Sequence, residues 1–268
     1  MIAMKSAREI EIMRRSGKIT SSVLAMLMRT AKAGMTLREI DRLAEKGIRE
    51  RGGFPTFKGY RGFPASICAS LNDVVVHGIP GKQVLRDGDI LSIDIGTTFE
   101  KYVSDSAATV AIGNVSVETK RLLRVTQECL MLGIAAMQKG NRLSDIGHAV
   151  QRHAENHGYG VVRALVGHGV GRSMHEEPQV PNWGNPGEGM VLRPGLVLAI
   201  EPMITEGTYE VNSLSDGWTI VTGDGKLAAH FEHTIALTND GPRILTLRDH
   251  DFMELDVAAY RPKEELAA

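Results

Sequence analysis

The chain has 268 residues, of which 43% are hydrophobic, and its 31 lysine and arginine residues nearly balance 32 acidic residues, giving a formal net charge of -1. A chain of this length forms one large domain or two small ones and can bury a substantial core. The balanced charge creates no field that would concentrate nucleic acid or anionic lipid, so we expect no nucleic-acid partner and no membrane partner.

The amino-terminal segment and the cysteine content favour a cytoplasmic protein. Residues 1–15 mix acidic, basic and apolar side chains without the long apolar run of a secretory signal, and no later segment reaches transmembrane length. Cys68 and Cys129 are too few for a disulfide framework, which fits a reducing compartment. We therefore expect the protein to be cytoplasmic.

Two helices are predicted at the amino-terminal end of the chain. Ser6 with Glu9, and Thr36 with Glu39, match the capping box, in which a hydroxyl and a carboxylate three residues later satisfy the first free amides of a helix. Apolar residues follow each box at helical spacing, and the first helix is expected to end before Gly34.

The second half of the chain repeats the pattern of the first. Residues 140–146 match residues 34–40 at an offset of 106 positions, and residues 192–201 match residues 85–94 at an offset of 107. A helix-like segment, residues 120–138, precedes the first of these later matches. Chance similarity between short amphipathic stretches would explain one match, but a near-constant offset across unlike segments indicates a duplication.

This duplication predicts one shared core. We expect an α+β fold in a single catalytic domain, residues 1–268, because each half supplies two helices and several strands to the same sheet. The repeats span roughly residues 6–110 and 117–240, and residues 249–268 form a charged carboxy-terminal tail.

Four acidic residues lie in or beside the most apolar predicted strands, where an unpaired buried carboxylate is costly. Asp94 and Glu201 end the two matching strands, and Glu232 lies in a third apolar segment. Asp105 lies on the return strand of a predicted hairpin that leaves at Asp94 and turns near residues 97–101. Any one of them could point into water, but four together indicate a common cause. Two divalent cations would neutralise them.

His168 is the candidate nitrogen ligand of this metal centre. Val161–Val166 is predicted to form a strand that leads into the glycine-rich segment Gly167–Gly171, where glycine permits close approach of a ligand. The alternative is a histidine that serves as a turn residue or as a hydrogen-bonding residue of the core. A local zinc-protease motif is excluded at His175, because the second histidine is missing and Pro178 would interrupt the helix.

Five separated motifs together resemble the type I methionine aminopeptidases over nearly the whole chain. They occur in family order and at family-like spacings: Asn72–Pro80, the pair Asp94 and Asp105, Gly167–Pro178, Ile200–Met203 and Phe231–Thr234. The resemblance implies the pseudo-two-fold "pita-bread" fold of creatinases and aminopeptidases, in which two helix pairs cover a central antiparallel sheet. It also implies a metallo-aminopeptidase that removes the N-terminal methionine of newly synthesised proteins when the second residue is small. The reaction is hydrolysis by water that a dinuclear metal centre activates.

The resemblance assigns roles to individual residues. It implies two divalent ions per chain, of Co, Mn, Fe or Zn, bound by Asp94, Asp105, His168, Glu201 and Glu232. Asp105 and Glu232 would bridge the ions, and Glu201 would also accept and return a proton. His77 and His175 would contact the substrate near the scissile bond. The pocket for the methionine side chain would be formed by Tyr60, Phe63, Cys68, Met174 and Trp218.

Two positions depart from the commonest pattern of the family. Ser104 precedes Asp105 where glycine is frequent, and Met174 occupies a position that is often aromatic. Neither departure removes a ligand, so they bear on the shape of the hairpin and of the pocket.

The family resemblance also defines the expected partners and the alternatives. The substrates would be nascent polypeptide N-termini, with a transient ribosome contact left open, and the protein would be a monomer. A prolyl-specific peptidase of the same fold and a non-catalytic binding protein are the main alternatives, although all five ligand positions are filled. A nucleotide-binding module is disfavoured, because the last glycine of its fingerprint would fall at Arg172.

Overall fold

The computed structural model describes residues 2–248, so the predicted tail at 249–268 lies outside the described residues. Two helix pairs are present in this part of the chain: α1 (Ala7–Thr30) with α2 (Leu37–Glu50), and α3 (Val117–Ala136) with α4 (Leu143–Asn156). Within the same residues, no helix is both long enough and apolar enough to cross a bilayer.

Both predicted capping boxes are present, which confirms the predicted helix starts. The Ser6 amide donates to the Glu9 carboxylate at 2.9 Å, and the Thr36 amide donates to the Glu39 carboxylate at 2.7 Å. In each box the hydroxyl also accepts from the amide of the glutamate. Helix α1 ends four residues before Gly34, as expected. Capping of this kind removes unsatisfied amides at the points where the chain enters each helix.

The strands are short except for one long hairpin. In the first half they are β1 (Phe54–Pro55), β2 (Ile67–Leu71), β3 (Val74–Val76), β4 (Ile90–Phe99) and β5 (Tyr102–Ala111). In the second half they are β6 (Gly160–Val161), β7 (Gly167–Gly169), β8 (Glu176–Val180), β9 (Val197–Ile200), β10 (Met203–Thr205), β11 (Val211–Ser213), β12 (Ile220–Thr222), β13 (Ala228–His230), β14 (His233–Thr238) and β15 (Gly241–Ile244).

Every pairing between these strands is antiparallel, as the fold class predicts. Strand β4 lies between β2 and β5, and strand β9 lies between β7 and β14. Helices α1 and α2 pack on the β4 side, whereas α3 and α4 pack on the other half. The hairpin turns at Glu100 and Lys101, later than the centre of the predicted range, and both have positive φ as in a type I′ turn.

The sequence repeat reappears as a repeated hydrogen bond. The Gly34 amide donates to the Leu85 carbonyl at 2.9 Å, and the Gly140 amide donates to the Leu192 carbonyl at 3.1 Å. The donors are 106 positions apart and the acceptors are 107 positions apart, which matches the offsets of the sequence. In each half, the segment between the two helices therefore binds the equivalent leucine, which lies before a strand of the same half.

Hydrogen bonds between β5 and residues 230–234 join the two halves at the centre. The Asp105 amide donates to the Thr234 hydroxyl at 2.9 Å, and this hydroxyl donates back to the Asp105 carbonyl at 2.8 Å. The amides and carbonyls of Ala107 and Glu232 exchange two more bonds, at 2.9 and 3.3 Å. These bonds set β5 beside the segment that carries Glu232, so acids from both halves face one space.

One predicted strand is wrong. Val161–Val166 was expected to be extended, but β6 ends at Val161, and His168 lies in the separate strand β7. Strand β6 pairs with β10 through only two residues, because the chain then turns away and Leu165 and Val166 line a cavity instead of a neighbouring strand.

The hydroxyl of Ser104, the first family departure, is buried and fully partnered. It lies 2.9 Å from the Ser16 hydroxyl and 2.7 Å from the Thr20 hydroxyl, and Ser16 also donates to the Thr97 carbonyl at 2.8 Å. This network ties α1 to the β4–β5 hairpin. Helix α1 thus supplies the polar partners that a serine needs at a buried position.

We expect Ser104→Ala to lower the free energy of unfolding by about 1–2 kcal/mol, because it deprives two buried hydroxyls of a partner. Ser22→Ala on the same helix is the matched control, since that partly exposed hydroxyl bonds only to its own helix at 2.6 Å, and its loss should change stability by less than about 0.5 kcal/mol. Urea denaturation measures both. Equal losses in the two variants would contradict a role for the buried network.

Candidate metal centre

One cavity of about 290 Å³ brings together every site residue that the sequence analysis singled out. The twelve residues come from both halves of the chain and all line its wall: Tyr60, Phe63, Cys68, His77, Asp94, Asp105, His168, Met174, His175, Glu201, Trp218 and Glu232. The acids cluster at one part of this wall, and aromatic and apolar side chains form the rest.

The β4–β5 hairpin positions the first two acids. Asp94 pairs with Ala107 and Asp105 pairs with Gly96, so the two aspartates are diagonal neighbours on one face of the hairpin. Their carboxyl groups are close enough for each to influence the pKa of the other. On the other side of β4, Cys68 pairs directly with Asp94. Burial, together with the charge of Asp94, raises the pKa of the Cys68 thiol.

The other two acids come from the second half and lie just outside strands. Glu201 follows β9 directly, and Glu232 lies between β13 and β14. Apolar neighbours were the reason to expect strands there, and the residues directly before the two acids, Ile200 and Phe231, are buried. The acids face the same cavity because the two halves are joined beside Glu232.

His168 is oriented as a metal-binding imidazole would be. Its Nδ1 lies 2.9 Å from the Gly169 carbonyl and must donate to it, which leaves Nε2 as the atom with a free electron pair. Nε2 lies 3.8 Å from an oxygen of Asp105 and 3.5 Å from an oxygen of Glu201. Burial lowers the pKa of His168, so the ring is neutral at pH 7 and its electron pair is available.

Buried carboxylate oxygens without partners indicate that a cation belongs here. Within residues 2–248, Asp94 Oδ1, Asp105 Oδ1 and Glu232 Oε1 are buried and have no hydrogen-bond partner. Ligand atoms of Asp105, His168 and Glu232 all lie within 4.8 Å of one another. Unpaired oxygens of this kind are rare in folded proteins because they lose the hydration that they have in water. The residues therefore fit divalent metal ions.

The electrostatics of the cluster agree with this fit. Burial raises the pKa of Asp94 to about 7. Burial, together with the neighbouring carboxylates, raises the pKa values of Asp105, Glu201 and Glu232 well above the usual range. Without a metal, the cluster must therefore hold protons at neutral pH.

Two neutral histidines, together with aromatic and apolar side chains, form much of the rest of the wall. The Tyr60 hydroxyl lies 2.8 Å from Nδ1 of His175, and the rings of His175 and His168 are 4.3 Å apart. Burial, with a smaller contribution from His168, lowers the pKa of His175 to about 4, and burial lowers the pKa of His77. Met174 is buried, and Phe63 meets Trp218 edge-on at 5.1 Å.

His77 is held in a strained backbone conformation. Its φ is 59°, a left-handed value that is uncommon for residues other than glycine. The next residue, Gly78, packs so closely on β2 that an added Cβ would collide with the Ala69 carbonyl. This close approach fixes the turn after β3 and holds the imidazole at the cavity, which is typical of strain at functional sites.

The sequence analysis missed several residues of the site, among them His230 and Phe57. His230 is 2% exposed, and its Nε2, which has no hydrogen-bond partner within residues 2–248, lies 3.7 Å from an oxygen of Glu201. Burial lowers the pKa of His230 to about 3. Phe57 lines the cavity and meets Phe63 edge-on. The sequence did contain a signal for His230, because this residue lies two positions before Glu232.

The chain is similar to known metallopeptidases. Residues 11–239 match the model of metallopeptidase family M24. A methionine aminopeptidase of Clostridium acetobutylicum is 52% identical over 248 residues, which cover 92% of this chain and 99% of that protein. Methionine aminopeptidase 1 of Bacillus subtilis is 51% identical over 246 residues, with coverage of 92% and 99%.

Solved structures show the same relation. The crystal structure of a methionine aminopeptidase from Rickettsia prowazekii superposes with a TM-score of 0.91 at 39% identity and covers 92% of this chain and 100% of that chain. A prolidase from Pyrococcus furiosus has a TM-score of 0.72 at 19% identity, with coverage of 92% and 66%, and shares the fold alone.

Metal binding to the chelator-stripped protein should release protons at pH 7. Each carboxyl whose pKa is raised holds its proton below that pKa, so a cation must displace it. Above that pKa the carboxyl is already ionised. The metal then displaces fewer protons, and competition with protons lowers its affinity less. Calorimetric titration with Mn²⁺ in buffers of different ionisation enthalpy should give about one proton or more per chain at pH 7 and fewer at pH 8.5.

The exposed variant Glu11→Gln is the control for this titration. The hydrogen bond with Arg14 already lowers the pKa of Glu11, so its loss should leave the proton count unchanged. Binding without proton release at pH 7 would contradict the protonated state of the cluster.

Proposed function

This chain belongs to metallopeptidase family M24, and we propose that the cavity between its halves is the active site in which it removes N-terminal methionine. The chain is a metallo-aminopeptidase. The observation that carries the assignment to this cavity is the joint placement of four acids, two buried and two half-buried, with one neutral imidazole beside an apolar pocket.

The ligands in this proposal are Asp94, Asp105, His168, Glu201 and Glu232, which would hold two divalent ions. The unpaired oxygens of Asp94, Asp105 and Glu232 and the free electron pair on His168 Nε2 support this set. When bound, such ions acidify water and polarise the scissile carbonyl. Carboxylates with one imidazole suit Mn, Fe, Co or Zn.

Glu201 is the proposed group that accepts and returns the proton. Burial raises its pKa, which brings its proton affinity closer to that needed at neutral pH. One of its oxygens lies 3.5 Å from Nε2 of His168 and the other 3.7 Å from Nε2 of His230, so the carboxylate lies between two imidazoles. His230 is therefore proposed as a positioning residue.

His77 and His175 are the proposed polar contacts to the substrate at the scissile bond. Both are neutral at pH 7, because their pKa values are lowered, and a neutral imidazole can donate or accept a hydrogen bond without adding charge. The Tyr60 hydroxyl is hydrogen-bonded to Nδ1 of His175. This bond fixes the ring and leaves Nε2 for the substrate.

The proposed preference for methionine follows from the side chains that line the cavity. Phe63, Cys68 and Met174 are buried, and Tyr60 and Trp218 complete an apolar wall suited to an unbranched thioether. That the second residue of the substrate must be small is proposed from the similarity to methionine aminopeptidases. Met174 and the buried cysteine make this wall flexible and apolar instead of fully aromatic.

The proposed setting is the cytoplasm, where the protein would act as a monomer on nascent polypeptide N-termini, with transient ribosome contact. The absence of a disulfide framework and the balanced charge of the chain support this setting.

The test of the activity is methionine release from Met-Ala-Ser, Met-Lys-Ser and Met-Pro-Ser by chelator-stripped protein before and after Mn²⁺ or Co²⁺ is added. We expect metal-restored cleavage of Met-Ala-Ser, with kcat/KM for Met-Lys-Ser at least about 100-fold lower, because a misfit in the second pocket costs several kcal/mol. Preference for Met-Pro-Ser would favour a prolyl-specific peptidase, and no cleavage with any metal would favour a binding protein.

Ligand variants test the assignment of the metal centre. Asp105→Asn and His168→Ala should each lower kcat/KM by about 1,000-fold or more, since each removes a ligand from a buried site. His148→Ala, on the far helix α4, is the histidine control and should retain full activity. Retained activity in Asp105→Asn would place the metal elsewhere.

Tyr60→Phe tests the orientation of His175. Loss of the 2.8 Å hydrogen bond should lower kcat about tenfold with a smaller change in KM, because the ring would remain in place but would lose its fixed tautomer. Tyr209→Phe, which changes an exposed ring, is the matched control. An unchanged kcat in Tyr60→Phe would show that this bond does not serve catalysis.

A further inference from the structure

A second group of potential metal ligands lies between helices α3 and α4, away from the active-site cavity. Its members are Glu128 on α3, His153 on α4 and His157 just after the end of α4. One ligand atom from each residue lies within 4.8 Å of the other two. None of the three lines the cavity. We propose that this group is a binding site for a divalent transition metal of the zinc class.

The helix geometry brings the two histidines together. Positions four apart lie on the same face of a helix, and the rings of His153 and His157 have centroids 4.4 Å apart. Two imidazoles on one face at this spacing can bind one ion from the same side. The third ligand comes from the neighbouring helix, so the site joins α3 to α4.

The two imidazoles are oriented differently. Nδ1 of His157 lies 2.8 Å from the His153 carbonyl and must donate to it, which leaves Nε2 of His157 with the free electron pair. Metal-binding histidines usually have this arrangement, with the second nitrogen held by a carbonyl. His153 presents Nε2 to an oxygen of Glu128 at 2.8 Å.

Little rearrangement is needed to bind an ion. Ligand atoms of a tetrahedral zinc site are about 3.3 Å apart, since each lies about 2.0 Å from the ion. The 2.8 Å hydrogen bond between His153 and Glu128 must open slightly, and the remaining separations of up to 4.8 Å must close through side-chain rotation. The side chains of His153 and Glu128 are only 16% and 12% exposed, so both are already ordered by packing.

The charges around the site limit its strength but do not block it. Arg124 bonds to the other oxygen of Glu128 at 3.1 Å, and this guanidinium is 57% exposed, so it can swing into water. Arg121 donates to the His157 carbonyl at 3.0 Å, away from the imidazole nitrogens. Glu128 can thus offer one oxygen to the ion while Arg124 keeps or releases the other.

Two imidazoles and one carboxylate select the metal class. This donor set, with water in the fourth position, is characteristic of Zn²⁺, whereas the hard ions Mg²⁺ and Ca²⁺ prefer an all-oxygen set. An ion bound here would cross-link α3 and α4 and stabilise the second half of the chain. The site does not depend on the proposed function, because it shares no residue with the active site.

Zinc stoichiometry tests the site directly. Equilibrium dialysis of the full chain against Zn²⁺ should give one more ion per chain than dialysis of His153→Gln or His157→Gln, because both variants keep the active-site ligands. His148→Gln, also on α4, is the matched control and should bind as much zinc as the unsubstituted chain. Methionine release with saturating Mn²⁺ should be the same in all four proteins.

A measurement on the unsubstituted chain keeps the test independent of variant folding. Nitrogen-15 spectra of the histidine rings should show the His153 and His157 signals shifting with Zn²⁺ but not with Mg²⁺. Equal zinc stoichiometry in all four proteins, or ring signals of His153 and His157 that do not respond to zinc, would overturn the proposal.

Discussion

Four carboxylates are confined in a buried space to which the protein itself contributes too little positive charge. Among the described residues, the charge of Arg248 lowers the pKa of Glu232. No basic side chain in this part of the chain is hydrogen-bonded to the unpaired oxygens of Asp94 and Asp105. Such a cluster is costly in the folded chain unless protons or cations neutralise it. The chemistry of the site and its linkage to pH both follow from this single constraint.

The fold meets the constraint through the contact between its halves. Antiparallel pairing on β4 and β5 places two acids on one face, and the reciprocal bonds between Asp105 and Thr234 bring the second half against them. The repeat in the sequence matters here because each half carries one acid at the equivalent position, Asp94 within β4 and Glu201 directly after β9. The relation between the two halves therefore brings both acids to the same central cavity.

The surroundings of the acids divide into a polar part and an apolar part. Around Glu201 and His168, each imidazole is neutral and hydrogen-bonded or packed so that one nitrogen remains available. Around Met174, aromatic rings and a buried thiol exclude water from the space for the substrate side chain. Exclusion of water strengthens every electrostatic interaction in the cavity, so the apolar wall serves the metal centre as well as specificity.

Apart from the pocket residues that the family resemblance supplied, the sequence by itself determined the helix starts, the repeated segments and the four acids of the cavity. Each of these depends on a local signal, namely a capping pair, a fixed offset, or an acid such as Asp94 among apolar neighbours. The tertiary structure alone decided the partners of Ser104, the approach of His230 to Glu201, and the early end of β6. These depend on contacts between residues far apart in the chain, where packing against a neighbour overrides local propensity and leaves no periodic trace in the sequence.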